Sequence, residues 1–208
     1  MSVLFLKRFL QRPRQIASII PSSRTLIRRV VDKMDLAQPR VVAEYGPGEG
    51  CHTREIVRRM HPESRLLLFE LDAELAAHLR DHFRNDARVT VLNADAASLP
   101  EQLLLNGLTH CDYVLSGIPF SLLEPEKKRA LLKATHDALR PAHHAAFIIY
   151  QVTNELRQHA TLFQRATSEY FLQNIPPMFI TVFGKAKTRN GRAHPASNGA
   201  RVPVHHSA

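Results

Sequence analysis

The sequence predicts an α/β fold: a doubly wound, mostly parallel seven-stranded sheet with helices on both faces, preceded by an amphipathic helical extension. Three observations predict it. Apolar runs of strand length alternate with helical stretches from residue 41 onward, and the first run enters a turn of alternating glycines, Gly46, Gly48 and Gly50. The next two runs end in carboxylates, Glu70 and Asp95. Parallel strands share an end, so acids at successive strand ends describe one crevice at the switch point of the sheet.

Taken in chain order, residues 1–20 come first. Read as a helix, Leu6, Phe9, Leu10, Pro13, Ile16, Ala17 and Ile20 share one face, and Lys7, Arg8, Gln11, Arg12, Arg14 and Gln15 take the other. Pro13 divides it into two short helices. The cations interrupt the segment too often for a secretory signal, and no apolar run reaches the ~20 residues a bilayer span requires. A basic amphipathic face suits a membrane interface; it equally suits docking across the apolar edge of the core. A second helix starts at Pro21-Ser22-Ser23, where serines cap, and runs through Leu26, Ile27, Val30 and Val31 toward Met34. Arg24, Arg28 and Arg29 line its other side.

The strand Val41-Val42-Ala43-Glu44-Tyr45 then meets the glycine turn. Without a β-carbon, these glycines adopt tight-turn dihedrals and bring backbone N–H groups close to a ligand. The third glycine arrives one position early for a dinucleotide fingerprint and position 51 is Cys, which argues against nicotinamide or flavin. Glu44 is placed to accept from ligand amines or to brace the loop amides; it would repel a pyrophosphate but not a cation. A helix over 51–60 and a strand over 65–70 follow. Glu70 lies about 20 residues past the turn, where doubly wound folds hold a ribose diol. The remaining elements are a helix over 73–83, strands over 89–95 and 111–118, a helix over 125–139, a strand over 145–152 and a helix over 154–166. Two last strand-like runs, 170–175 and 178–185, flank Pro176-Pro177. From Thr188 the composition turns to Arg, Asn, Gly, His, Pro and Ser, which predicts a disordered tail.

With 208 residues the chain has room for one α/β domain with a full core. Its 28 Lys and Arg against 19 Asp and Glu leave a net charge of +9, which suits nucleic acid, an anionic membrane or simply a soluble basic protein. Cys51 and Cys111 have no metal spacing and read as reduced cytosolic thiols; the twelve histidines are scattered, and no metal site is expected.

The segment from Glu44 to Gly50, with Glu70 and Asn93-Ala94-Asp95-Ala96, resembles the first motif, the ribose-binding acid and the adenine-contacting segment of the class I S-adenosylmethionine-dependent methyltransferases. The run Asp112-Tyr113-Val114-Leu115-Ser116-Gly117-Ile118-Pro119-Phe120 is similar to their fourth motif, which borders the methyl donor and acceptor. The resemblance covers about residues 39–185 and implies a Rossmann-like fold that binds S-adenosyl-L-methionine through Glu44, Gly46, Gly48, Gly50, Glu70, Asp95 and Ser116. It divides the chain into an extension for membrane and substrate (1–35), a methyltransferase domain (36–187) and the tail (188–208).

Enzymes that methylate base amines present Asn or Asp where this chain has Ser116, and RNA adenine dimethyltransferases add a helical C-terminal domain for which nothing past Lys185 provides. Nucleic acid is therefore disfavoured as the acceptor. The segments 16–23, 116–120 and 174–177 instead resemble bacterial phospholipid N-methyltransferases, which act on phosphatidylethanolamine and continue towards phosphatidylcholine. Related enzymes acting on other aminolipids, such as ornithine lipids, share the pattern. The resemblance implies a cytoplasmic enzyme held peripherally on the inner face of the cytoplasmic membrane, with an anionic membrane surface and an aminophospholipid as partners. Tyr150, at the end of the fifth strand, is the candidate to orient the amine or relay its proton; core packing is the competing reading. Phe120 is the candidate acceptor wall, again against core packing. Arg24 or Arg28 is the candidate phosphate ligand, against a role as a solvated surface charge. An RNA adenine N-methyltransferase, which would use the same +9 surface for phosphates, and a non-enzymatic membrane-binding module with the same fold stay as alternatives.

Overall fold

Strands buried on both faces organise the molecule. The computed structural model describes residues 22–159 and 161–185, so the amphipathic segment 1–20 and the tail from Thr188 lie outside the described residues. Helix α1 (Arg24–Val31) leads to β1 (Val41–Tyr45), α2 (Cys51–Arg59), β2 (Arg65–Phe69), α3 (Ala73–Phe83) and β3 (Val89–Leu92). A 3-10 turn at Ala96–Ser98 precedes α4 (Leu99–Leu105), followed by β4 (Tyr113–Ser116) and a second 3-10 turn at Phe120–Leu122. Then come α5 (Pro125–Ala138), β5 (Ala146–Gln151), a third 3-10 turn at Glu155–His159, β6 (Arg165–Phe171) and β7 (Met178–Gly184). Among the described residues no helix is long and apolar enough to cross a membrane.

The seven strands lie in the order β3-β2-β1-β4-β5-β7-β6. The first five in chain order pair in parallel, and β7 runs antiparallel to both β5 and β6. The winding reverses at β1, whose neighbours are β2 and β4, and this reversal opens a crevice at the carboxyl ends of the strands.

Alternation along each strand divides the core into two layers. Ala43, Tyr45, Leu67, Phe69, Phe147 and Ile149 pack with Leu99 and Leu103 of α4 and Leu131 and Leu132 of α5. Val42, Leu66, Leu68, Leu115 and Ile148 face Leu26 and Val30 of α1, Ile56 of α2 and Leu79 of α3. Burial on both faces is why the central strands read as continuous apolar runs; each fully buried Leu, Ile or Phe contributes about 1.5–3 kcal/mol. The helix starts follow the sequence signals. Ser23 Oγ accepts from the Leu26 N–H at 3.1 Å, Asp72 Oδ1 accepts from Glu74 and Leu75, and Pro125 opens α5.

Three expectations need correction. Strands β2, β3 and β4 are shorter than expected, so Glu70 and Asp95 lie in the loops just past β2 and β3. The helix expected over 154–166 is replaced by the short 3-10 turn and the start of β6. That edge strand pairs along its whole length with β7, from Arg165↔Gly184 to Phe171↔Met178. With a single neighbour and much polar surface, β6 carries a weak hydrophobic signal, and backbone pairing decides its conformation. Helix α4 was not anticipated; it is seven residues long and leaves Leu104 and Leu105 exposed.

Candidate active site

The glycine turn takes the geometry its composition suggests. Gly46, Gly48 and Gly50 have φ of 63°, 57° and 76°, the left-handed region that favours glycine. Gly50 begins α2, and a β-carbon there would lie 3.0 Å from Leu79 Cδ2. At Gly48 the corresponding direction is open, with no atom within 4 Å. A ligand can therefore lie directly on this backbone.

Glu70 braces that surface. Its Oε2 accepts from the Gly48 N–H at 3.1 Å and its Oε1 from the Asp72 N–H at 3.0 Å. Burial raises the carboxyl pKa above its ordinary value, and the two amides offset part of that rise. Two oxygens provide about four lone-pair positions, so acceptor capacity remains for the hydroxyls of a ribose. On the adjoining strand end, Asn93 Nδ2 donates to the carbonyls of Glu70 and Leu71, at 2.9 and 3.0 Å, fixing the two loops together. Asp95 is exposed beside them and accepts from the Ala97 N–H at 2.9 Å, capping the first 3-10 turn.

Three other expected site residues are buried away from the crevice. Glu44 is 2% exposed and accepts from Thr53 Oγ1 at 2.7 Å, beneath the glycine turn rather than open to the crevice. Burial lifts its pKa to about 7 despite the Thr53 bond, and the charge of Glu70 adds to the rise. Its role is to tie β1 to the first turn of α2. Ser116 is fully buried, and its hydroxyl accepts from the Ile118 N–H at 3.2 Å, shaping the loop after β4. Phe120 is also fully buried, its ring 6.1 Å from that of Phe147, so it belongs to the core instead of an acceptor wall. Arg24 and Arg28 are exposed on α1.

Tyr150 stands where the glycine turn meets the loop after β4. A β-carbon on Gly117 would lie 2.7 Å from the Tyr150 hydroxyl and 3.1 Å from the Gly46 carbonyl, so glycine at 117 lets three segments meet. The Tyr150 ring stacks on His52, with centroids 4.5 Å apart, and its hydroxyl lies 3.3 Å from His52 Nδ1. Ser22 also hydrogen-bonds the phenol. Burial and the nearby Glu44 charge raise the phenol pKa, so the group stays protonated. Burial lowers the His52 pKa to about 3 and keeps the imidazole neutral; its Nε2 is buried without a partner among the described residues. His52, Thr53 and Ser22 were not anticipated as site residues. The signal for the first two was their place in the turn of α2 that follows Gly50, where 52, 53 and 56 form the inward face.

Two of the segments singled out in the sequence meet here as well. Ser23 N–H donates to Asn174 Oδ1 at 2.9 Å, and the Ser23 and Thr25 hydroxyls donate to the Gln173 carbonyl at 2.9 and 3.1 Å. Among the described residues no group of three or more His, Cys, Asp and Glu is arranged to hold a metal ion.

Comparison with known proteins adds an independent view. The family profile described as ribosomal RNA adenine dimethylase matches residues 14–116. An ornithine lipid N-methyltransferase of Singulisphaera acidiphila is 32% identical over 174 residues, which span 84% of this chain and 91% of that protein. The ribosomal RNA small subunit methyltransferase A of Parasynechococcus marenigrum is 32% identical over 101 residues, 49% of this chain but 32% of that protein. Among solved structures, the precorrin-6y C5,15-methyltransferase of Geobacter metallireducens superposes with a TM-score of 0.62 at 17% identity, covering 80% of this chain and 91% of its own, a likeness of fold.

Proposed function

The chain belongs to the class I S-adenosylmethionine-dependent methyltransferases, and on that premise we propose that it methylates the headgroup amine of an aminophospholipid, taking phosphatidylethanolamine towards phosphatidylcholine at a membrane surface. S-adenosyl-L-methionine is the methyl donor, and the site fits it. The open face of Gly48 admits a ligand against the backbone, Glu70 retains acceptor capacity for the ribose, and the exposed Asp95 on the next loop is the candidate for the adenine side. Once bound, the donor supplies a methyl group already activated by its sulfonium.

The chain's own contribution is position and proton state. A headgroup ammonium must lose its proton before nitrogen can form a bond to carbon, and transfer from water to a less polar pocket favours the neutral amine. With the phenol donating to His52 Nδ1, its oxygen keeps one lone pair beside the Ser22 bond to accept from an amine N–H. Held neutral, His52 offers Nδ1 as that acceptor in the tautomer that carries its proton on Nε2. No strong base is needed when nitrogen is aligned with the methyl group, because alignment supplies most of the rate.

The observation that carries the lipid reading is the assembly around Tyr150: Ser22, Gly117 and His52 converge on its ring, and Ser23 locks the same corner to Asn174. The position where base-modifying enzymes place an amide or carboxylate is Ser116, whose hydroxyl holds its own loop. A lipid amine is also the acceptor implied by the name of the relative that matches at 32% over 91% of its length. That name makes another aminolipid, ornithine lipid, the second reading. RNA adenine methylation is supported by the family profile, but the matched segment 14–116 stops where the acceptor loop begins. The +9 charge supports a peripheral place on the inner, anionic face of the cytoplasmic membrane.

The test is radiolabelled methyl transfer by the full chain to phosphatidylethanolamine, ornithine lipid and ribosomal RNA side by side, with products identified by mass spectrometry. Methylated phosphatidylethanolamine is expected. Methylated ornithine lipid alone moves the assignment to the second reading, and methylated RNA with inert lipids overturns it.

A further inference from the structure

The turn between β6 and β7 inverts the usual pattern of a surface turn. Two of its polar groups face α1: Asn174 is 2% exposed, takes the Ser23 N–H and donates to the Pro176 carbonyl at 2.9 Å, while the carbonyl of the exposed Gln173 accepts from two hydroxyls of α1 and its cap. Its apolar groups face outward. Ile175 is 91% exposed and Leu172 70% exposed, and Val152, just past the end of β5, is also exposed. All three lie at the same end of their strands, because Gln151 pairs with Phe179 and Phe171 with Met178.

Place and charge give this strip a meaning. It lies on the carboxyl rim of the sheet, the rim that carries the glycine turn and Tyr150, since β6 runs parallel to β5 and turns back there. Arg24 and Arg28 are exposed on the helix bonded to this turn. The nearby acid Glu169 is occupied by Arg29 and Lys33, at 2.6 and 3.0 Å, so it does not offset those cations. Apolar side chains on a pinned turn, bordered by arginines, match the acyl boundary and phosphates of an anionic bilayer.

We propose that the β6–β7 turn, with Leu172 and Ile175 at its tip and Arg24 and Arg28 at its side, is a docking surface for an anionic lipid bilayer. The proposal rests on the lipid reading of function and adds the orientation: the rim bearing the active-site crevice faces the membrane. A headgroup amine then enters the crevice from the bilayer without its acyl chains crossing water.

The chain has no tryptophan, so a single one reports on its own position. The full chain carrying Ile175→Trp is mixed with vesicles of phosphatidylglycerol and phosphatidylethanolamine. Leu104→Trp serves as the control, because Leu104 is exposed near the end of α4, which leads back to the start of β4 at the amino rim of the sheet. A blue shift and quenching by brominated acyl chains are expected for Ile175→Trp and not for Leu104→Trp. Replacing both Leu172 and Ile175 with Asp should weaken sedimentation with the same vesicles about tenfold or more. Unshifted emission at 175 with vesicles present overturns the proposal, whether or not the protein sediments with them. Emission already blue without lipid also overturns it, by showing that another part of the chain covers the turn. Methyl transfer to aminolipid in detergent micelles, measured in parallel, scores the functional reading separately: a shift without transfer removes the lipid acceptor, and transfer without a shift removes the docking surface.

Discussion

Replacing His52 with Phe tests whether an imidazole is held neutral beneath the crevice. Burial takes its pKa from 6.5 to about 3, so between those values the unfolded chain binds a proton that the folded chain does not. Stability therefore rises with pH through that window by about 1.4 kcal/mol per unit, about 5 kcal/mol in all, and is fully present above the unfolded value. Glu44 acts with the opposite sign. Its pKa rises from 4.5 to about 7, so the folded chain keeps a proton that the unfolded chain has lost. Its contribution is fully present below 4.5 and falls by about 3 kcal/mol as pH climbs through 7. From pH 4.5 to 6.5 the two slopes cancel in the natural protein. Phenylalanine keeps the stack on Tyr150 and takes no proton. The stability of the natural protein relative to His52→Phe should thus grow by about 3 kcal/mol between pH 4.5 and 6.5 and stay level above. Urea denaturation followed by circular dichroism at half-unit pH steps measures the difference directly. A difference that does not change with pH refutes the buried neutral histidine and, with it, the proposed orientation of the Tyr150 proton.

Other substitutions probe the remaining parts of the site. Glu70→Ala removes the brace on the Gly48 amide and the acceptor for the ribose; donor affinity by calorimetry should fall about 10- to 100-fold, and an unchanged Kd would remove Glu70 from the donor site. Tyr150→Phe keeps the ring and loses the hydroxyl, so turnover should drop about tenfold or more with donor affinity unchanged; full activity excludes the hydroxyl from the reaction. Gly50→Ala forces an alanine into φ 76° with Leu79 Cδ2 at 3.0 Å, which should cost about 1–3 kcal/mol in chemical denaturation; wild-type stability would contradict the packing of α2 on α3.

The central elements were readable because their signals are local. Helix α3 falls on the predicted residues because Asp72 caps it and its own pattern sustains it. Edge strand β6 was expected only from residue 170, with a helix running to 166 ahead of it, because its stability comes from pairing with β7, a partner that its own seven residues do not reveal. The site divides in the same way. Gly48 and Glu70 were legible because a turn needing positive φ and an acid at a fixed distance are written in consecutive residues. Ser116 and Phe120 had motif spacing without the exposure a ligand needs, since spacing along a chain does not say which face the core will cover.

The sequence by itself determined a doubly wound sheet with a glycine turn at its switch point and an acid beside it, because strand periodicity and backbone conformation depend on near neighbours. Only the tertiary structure decided that Glu44 lies buried against Thr53, that His52 supports Tyr150, and that Ser23 and Asn174, 151 positions apart, are hydrogen-bonded at one corner. Those relations depend on which faces the layers bury and on how the strand order folds distant loops onto the same rim.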